Sequence, residues 1–81
     1  LYFDKKEEVM TQEKFERYRK AVEELKKKKG YTNAFLASIA SEKADSKIPA
    51  SRMSNVMNGK ENGKAALVIL ADIAFIYDLD V

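Results

Sequence analysis

The stretch that decides the fold is Ile48-Pro49-Ala50-Ser51-Arg52-Met53-Ser54-Asn55-Val56-Met57-Asn58-Gly59-Lys60. Met53, Val56 and Met57 recur at i, i+3 and i+4, the spacing of one helical face, and are expected to point into a core. Pro49 suits a first-turn position, where its missing N–H costs nothing. Asn58 and Gly59 both tolerate the left-handed conformation that closes a helix, so the helix is expected over residues 49–58. Its other side carries Ala50, Ser51, Ser54 and Asn55, which are short and mostly polar. Arg52 also lies there and is long enough to reach a base, a phosphate, or an acid such as Asp45 or Glu61.

Working outward, three more helices are expected. Upstream, Phe15, Tyr18, Val22 and Leu25 recur at spacings of three and four in a highly charged segment from about Lys5 to Lys29. Asp4, with Glu7 three residues on, is one candidate N-cap; Thr11 is another, in which case the helix begins there or two helices meet near Met10. The lysines at 26–29 complement the negative end of this helix, and Gly30 is placed to end it. A second helix opens at Thr32, a good N-cap, with Phe35, Leu36, Ile39 and Ala40 at helical spacing. It is expected to run to about Ser41 or Lys43. Residues 42–47 are polar and read as a loop or as an extension of that helix. Downstream, residues 65–77 hold Leu67, Leu70, Ala71, Ile73, Ala74, Ile76 and Tyr77. This segment is apolar nearly all round, so it is expected to be central.

Composition narrows the function classes. The chain has 81 residues, a single-domain length. There is no cysteine and no histidine, which removes disulfides, thiolate metal sites, and the commonest general base and zinc ligand. No glycine-rich phosphate cradle is present. No catalytic site, metal site or cofactor is therefore expected, nor is a small-molecule substrate evident. No apolar run approaches the roughly 18 residues of a membrane span, and no leader pattern opens the chain, so a cytoplasmic location is expected.

Net charge is only +2, but its distribution is uneven. Lys26, Lys27, Lys28 and Lys29, then Lys43, Lys47, Arg52, Lys60 and Lys64, gather positive charge in the middle of the chain. Asp72, Asp78 and Asp80 leave the end acidic. Such clustering suits a phosphate-facing surface as well as a solvated lysine-rich face.

A major groove admits one α-helix, provided that helix has a buried side to fix its angle and an outer side of hydrogen-bonding residues. Asn can bond adenine, and Arg guanine, in a bidentate manner. At this point the chain resembles the lambda-repressor-like, Cro-type (XRE) helix-turn-helix family. Residues 48–60 are similar to that family's recognition-helix signature: an aliphatic residue, a few polar ones, Met53-Ser54 at its Ile-Ser position, Val56 at the next core position, then Asn58-Gly59-Lys60. Thr32-Asn33-Ala34-Phe35-Leu36-Ala37 resembles its Thr-Gln-x-x-Leu-Ala opening. Leu70-Ala71-Asp72-Ile73-Ala74 resembles its fourth helix. The likeness covers about residues 30–77.

The resemblance implies an all-α, compact four- to five-helix lambda-repressor-like bundle, here with a long N-terminal helix over residues 1–29 and a DNA-binding region over residues 30–81 in one domain. It implies sequence-specific binding of double-stranded DNA as a phage- or bacterial-type regulator, a repressor by expectation, acting as a homodimer. By position, Ala50, Ser51 and Asn55 match residues that meet base edges, with Arg52 and Ser54 secondary. Thr32, Asn33, Lys60, Asn62 and Lys64 match phosphate contacts. The departures are about six extra residues near 42–47, Ala50 where the family often has glutamine, and a fifth helix absent or reduced to residues 78–81. Tyr2, Phe3, Val9 and Met10 are expected to offer a surface to a second subunit. A protein-interaction module on the same bundle, such as an antitoxin-like or phage adaptor, is the alternative.

Overall fold

The computed structural model describes the backbone of residues 2–81 and the side chains of residues 12–81. It contains four helices: α1 (Tyr2–Lys29), α2 (Asn33–Ala44), α3 (Ala50–Met57) and α4 (Lys64–Ile76). No strand occurs among the described residues. The chain is all-helical. α1 packs along α4, α2 packs on both α3 and α4, and α1 touches α3 more lightly.

α1 is a single helix. It passes through Met10 and Thr11 without a break, so neither Asp4 nor Thr11 caps it. Lys5, Lys6, Glu7 and Glu8 are good helix formers, and no Gly or Pro interrupts them. Its stripe is the expected one: Phe15, Val22 and Leu25 are buried and Tyr18 is partly buried. The opposite side carries i,i+3 and i,i+4 ion pairs, such as Arg19 with Glu16 at 2.8 Å and Lys27 with Glu23 at 3.6 Å.

α2 begins after Thr32, whose side chain accepts the Phe35 N–H at 3.1 Å, an N-cap bond. It continues to Ala44, so residues 42–44 extend the helix and only residues 45–49 connect it to α3. Glu42, Lys43 and Ala44 all favour helix, which explains the extension. Leu36, Ala37 and Ala40 are its buried positions. Phe35 stays 41% exposed, its ring 4.5 Å from that of Tyr31.

All four helices end in one way. Gly30 (φ 71), Asp45 (φ 54), Gly59 (φ 78) and Asp78 (φ 51) take the left-handed conformation. The next residue's N–H then reaches back to a carbonyl of the last turn. Tyr31 bonds Lys26, Ser46 bonds Ser41, Lys60 bonds Asn55 and Leu79 bonds Ala74, at 2.8–3.1 Å. These are Schellman closures, which satisfy carbonyls that a helix end leaves open. Asn58, read as a second left-handed candidate, is right-handed (φ −88), so Gly59 alone makes that turn.

α3 starts one residue later than the sequence suggests. Pro49 is its N-cap, extended at φ −71 and ψ 155. The connection is pinned by Ser41. Its Oγ accepts the Ile48 N–H at 2.7 Å and lies 2.7 Å from the Ala37 carbonyl, to which it can donate. Ile48 itself is buried.

The centre of the molecule is formed by Phe15, Val22, Leu36, Met53, Val56, Leu70 and Ile73, all essentially excluded from solvent. α4 supplies Ala66, Ile69, Leu70, Ile73 and Ala74. It is nevertheless not enclosed, contrary to the reading of a central helix: Val68, Phe75 and Ile76 are 56%, 76% and 44% exposed. A bundle this small has too few helices to surround one of its members. The only cation over Phe75 among the described residues is Lys43, whose Nζ lies 5.2 Å from the ring centre.

Two variants test this local reading. Ser41→Ala leaves the Ile48 N–H without its acceptor and should cost about 1–2 kcal/mol in urea denaturation. Asp45→Gly removes a left-handed non-glycine residue and a negative charge at a helix C-terminus. It should add about 0.5–1 kcal/mol in the same assay.

Candidate nucleic-acid interface

The geometry of α3 follows from its inward side. Met53, Val56 and Met57 are buried, which directs Ser51, Asn55 and Asn58 to the opposite side, where all three are exposed. Arg52 and Ser54 fall on the two flanks and are half-buried. Among the described residues, the Ser51 hydroxyl and the Asn55 carboxamide have no protein hydrogen-bond partner, so both are available to a ligand. Ser54 has only a long contact from Asn58, Nδ2 to Oγ at 3.5 Å. Ala50 is exposed and has only a backbone N–H to offer.

Arg52 is committed. Its Nε lies 3.1 and 3.0 Å from the two Glu61 carboxylate oxygens, and its Nη2 donates to Oε2 at 2.7 Å. The sequence allowed Asp45 or Glu61 as a partner; the turn after α3 selects Glu61. The Lys60 and Glu61 N–H groups both donate to the Asn55 carbonyl, at 2.8 and 3.2 Å, which folds residues 60–61 back beside the helix. Hydrogen bonds from the guanidinium hold the Glu61 carboxyl below its usual range, and the same bonds push Arg52 further up. The pair is therefore intact at neutral pH and is lost only as pH falls through the depressed Glu61 value.

The loop after α3 carries Lys60, exposed at its tip, and Asn62, whose Nδ2 donates to the Gly59 carbonyl at 3.0 Å. Lys64 opens α4 and is exposed. Thr32 and Asn33 lie at the start of α2. The Thr32 oxygen is used in capping, but its proton remains to donate. Asn33 is half-buried, and its Oδ1 is buried with no hydrogen-bond partner among the described residues.

One feature was not visible in the sequence. Asn33 does not stand alone: it lines a cleft of about 570 Å³ with Lys26, Lys27 and Asn58. The lysine run at the end of α1 thus meets the start of α2 and the end of α3. Arg19 lines the same cleft but is held by Glu16 and Glu23 and by the Met57 carbonyl at 3.3 Å. The signal available was the unbroken run of lysines, without any indication of what it faced.

Tyr2, Phe3, Val9 and Met10, read as a surface for a second subunit, lie outside the residues whose side chains are described. Among the described residues there is no acidic cluster able to hold a metal ion, and no helix long and apolar enough to cross a membrane.

Gly59 places Lys60 and Glu61 through its positive φ. A Cβ there would meet open space, so only the backbone conformation resists substitution. Gly59→Ala should cost about 1–2 kcal/mol in thermal or urea unfolding with the helix content retained.

Compared with protein-family models, curated proteins and solved structures, the chain matches none.

Proposed function

We propose that this protein binds double-stranded DNA sequence-specifically as a transcription regulator of the phage or bacterial repressor type, within the lambda-repressor-like (XRE) helix-turn-helix family. One observation carries the reading. α3 buries Met53, Val56 and Met57 and leaves Ser51 and Asn55 opposite them with unused hydrogen-bonding groups. That arrangement suits a helix lying in a major groove and reading base edges. Lys60 and Asn62 in the loop after it, Thr32 at the start of α2, and Asn33, Lys26 and Lys27 in the cleft beside Asn58 supply groups that suit phosphates.

In this reading Asn55 and Ser51 meet base edges, and Ala50 contributes its backbone N–H. Lys60, Asn62, Lys64, Thr32 and Asn33 contact the backbone. The protein acts as a homodimer on half-sites about one helical turn apart, because one such helix makes few specific contacts.

A second reading, a protein-interaction module, draws on a different observation. Val68, Phe75 and Ile76 are exposed along α4, close to Asp72 and Asp78. Exposed large apolar side chains on one helix are common at sites that receive a protein.

Salt separates the two. A DNA binder loses affinity steeply with added salt as phosphates release counterions. Selection of bound duplexes from a random pool, followed by titration at several salt concentrations, is the decisive measurement; flat or absent duplex binding sinks the first reading. On the selected site, Asn55→Ala should cost about 1–3 kcal/mol and relax the preference at one position. Lys60→Ala should weaken all duplexes alike and lower the salt slope by about one.

A further inference from the structure

We propose that Glu61 masks Arg52, holding a cation of the DNA-facing surface in an intramolecular ion pair and so lowering sequence-independent affinity for duplex DNA. The inference rests on the DNA-binding reading above. It assigns Glu61 as a residue that sets background affinity through Arg52 and touches no DNA itself.

The argument starts from the geometry of the pair. A guanidinium recognises carboxylate, phosphate and the guanine edge with the same two-pronged face. In Arg52 that face, Nε and Nη2, is filled by the two Glu61 oxygens at 2.7–3.1 Å. Any DNA acceptor that takes this face must displace the carboxylate. The side chains remain 38% and 32% exposed, so the pair lies at the surface, where a phosphate could reach it.

Its position matters as much as its shape. Arg52 flanks the exposed Ser51–Asn55 side of α3, and Lys60 follows that helix at the tip of the adjoining loop. An open guanidinium there would bind the phosphates of any sequence. Phosphate contacts supply affinity without sequence information, so suppressing one lowers binding to every duplex, the unspecific background included.

The pair is not needed to hold the loop. Residues 59–62 are already fixed by the left-handed Gly59, by two N–H bonds to the Asn55 carbonyl, and by Asn62 Nδ2 on the Gly59 carbonyl. An exposed ion pair adds little to stability in any case. The contact therefore affects charge more than shape.

The test is a double-mutant cycle on the whole chain: wild type, Glu61→Gln, Arg52→Gln and the double variant. Each is titrated with a mixed-sequence duplex lacking the selected site, over a range of salt, with circular dichroism to establish equal helix content. Glu61→Gln should raise affinity roughly five- to ten-fold near 0.1 M salt and steepen the salt slope by about one, the effect of one added phosphate contact. In the Arg52→Gln background the same change should do little. An equal gain in both backgrounds means that removal of negative charge acts by itself, and overturns the masking. A loss of affinity in Glu61→Gln means that the pair braces the loop, and also overturns it. If the wild type binds neither this duplex nor the selected one in a salt-dependent way, the DNA-binding reading fails and this inference with it. If the wild type binds and Glu61→Gln matches it, only this inference fails.

Discussion

The connection into α3 is held by one hydroxyl. Ser41 sits in the last turns of α2, and its Oγ accepts the N–H of Ile48, two residues before α3 begins. Five irregular residues could otherwise swing through many paths, and each ordered residue carries an entropic cost of about 1–2 kcal/mol. The Ser41 bond ties the far end of that segment back to α2, while burial of Ile48 keeps it there. With both ends of the connection fixed, the side of α3 that meets the core is determined, and so is the side that does not.

The helix ends do comparable work. Each closes on a left-handed residue, but only two of the four are glycine. At Gly30 and Gly59 the conformation comes without a Cβ penalty. At Asp45 and Asp78 a side chain occupies a region that L-residues seldom adopt, with a carboxylate at the negative end of a helix dipole. Both choices are locally unfavourable, and packing overrides them: Ile48 follows Asp45 into the core, and Leu79 follows Asp78 against it.

Much of this was legible in the residues. Phe15, Val22 and Leu25, and Met53, Val56 and Met57, repeat at the helical period because one face must be buried, so pattern and burial coincide. Gly30 and Gly59 announced their turns because few other residues suit them. Asp45 and Asp78 did not, since aspartate is ordinary in loops and, although favoured over most residues at positive φ, takes it at only a small share of its positions. Ser41 read as one more polar helix residue; its role depends on where the chain returns seven residues later. The partner of Arg52 was narrowed to two acids, and the Schellman turn at Gly59 decided between them. The exposure of Val68 and Phe75 could not be read at all, because periodicity marks an apolar face without counting the helices available to cover it. The cleft that joins Asn33 to Lys26 and Lys27 was hidden for the same reason, as it exists only between elements.

α3 has eight residues, too few for a stable helix on its own in water. Its helicity is therefore supplied by the core through Met53, Val56 and Met57, and by its closing turn. That division has a consequence for its outer side. Residues such as Ser51 and Asn55 are poor helix formers, and a helix that relied on its own propensity could not carry them. Because the inner side supplies the stability, the outer positions can hold poor helix formers without loss of the helix.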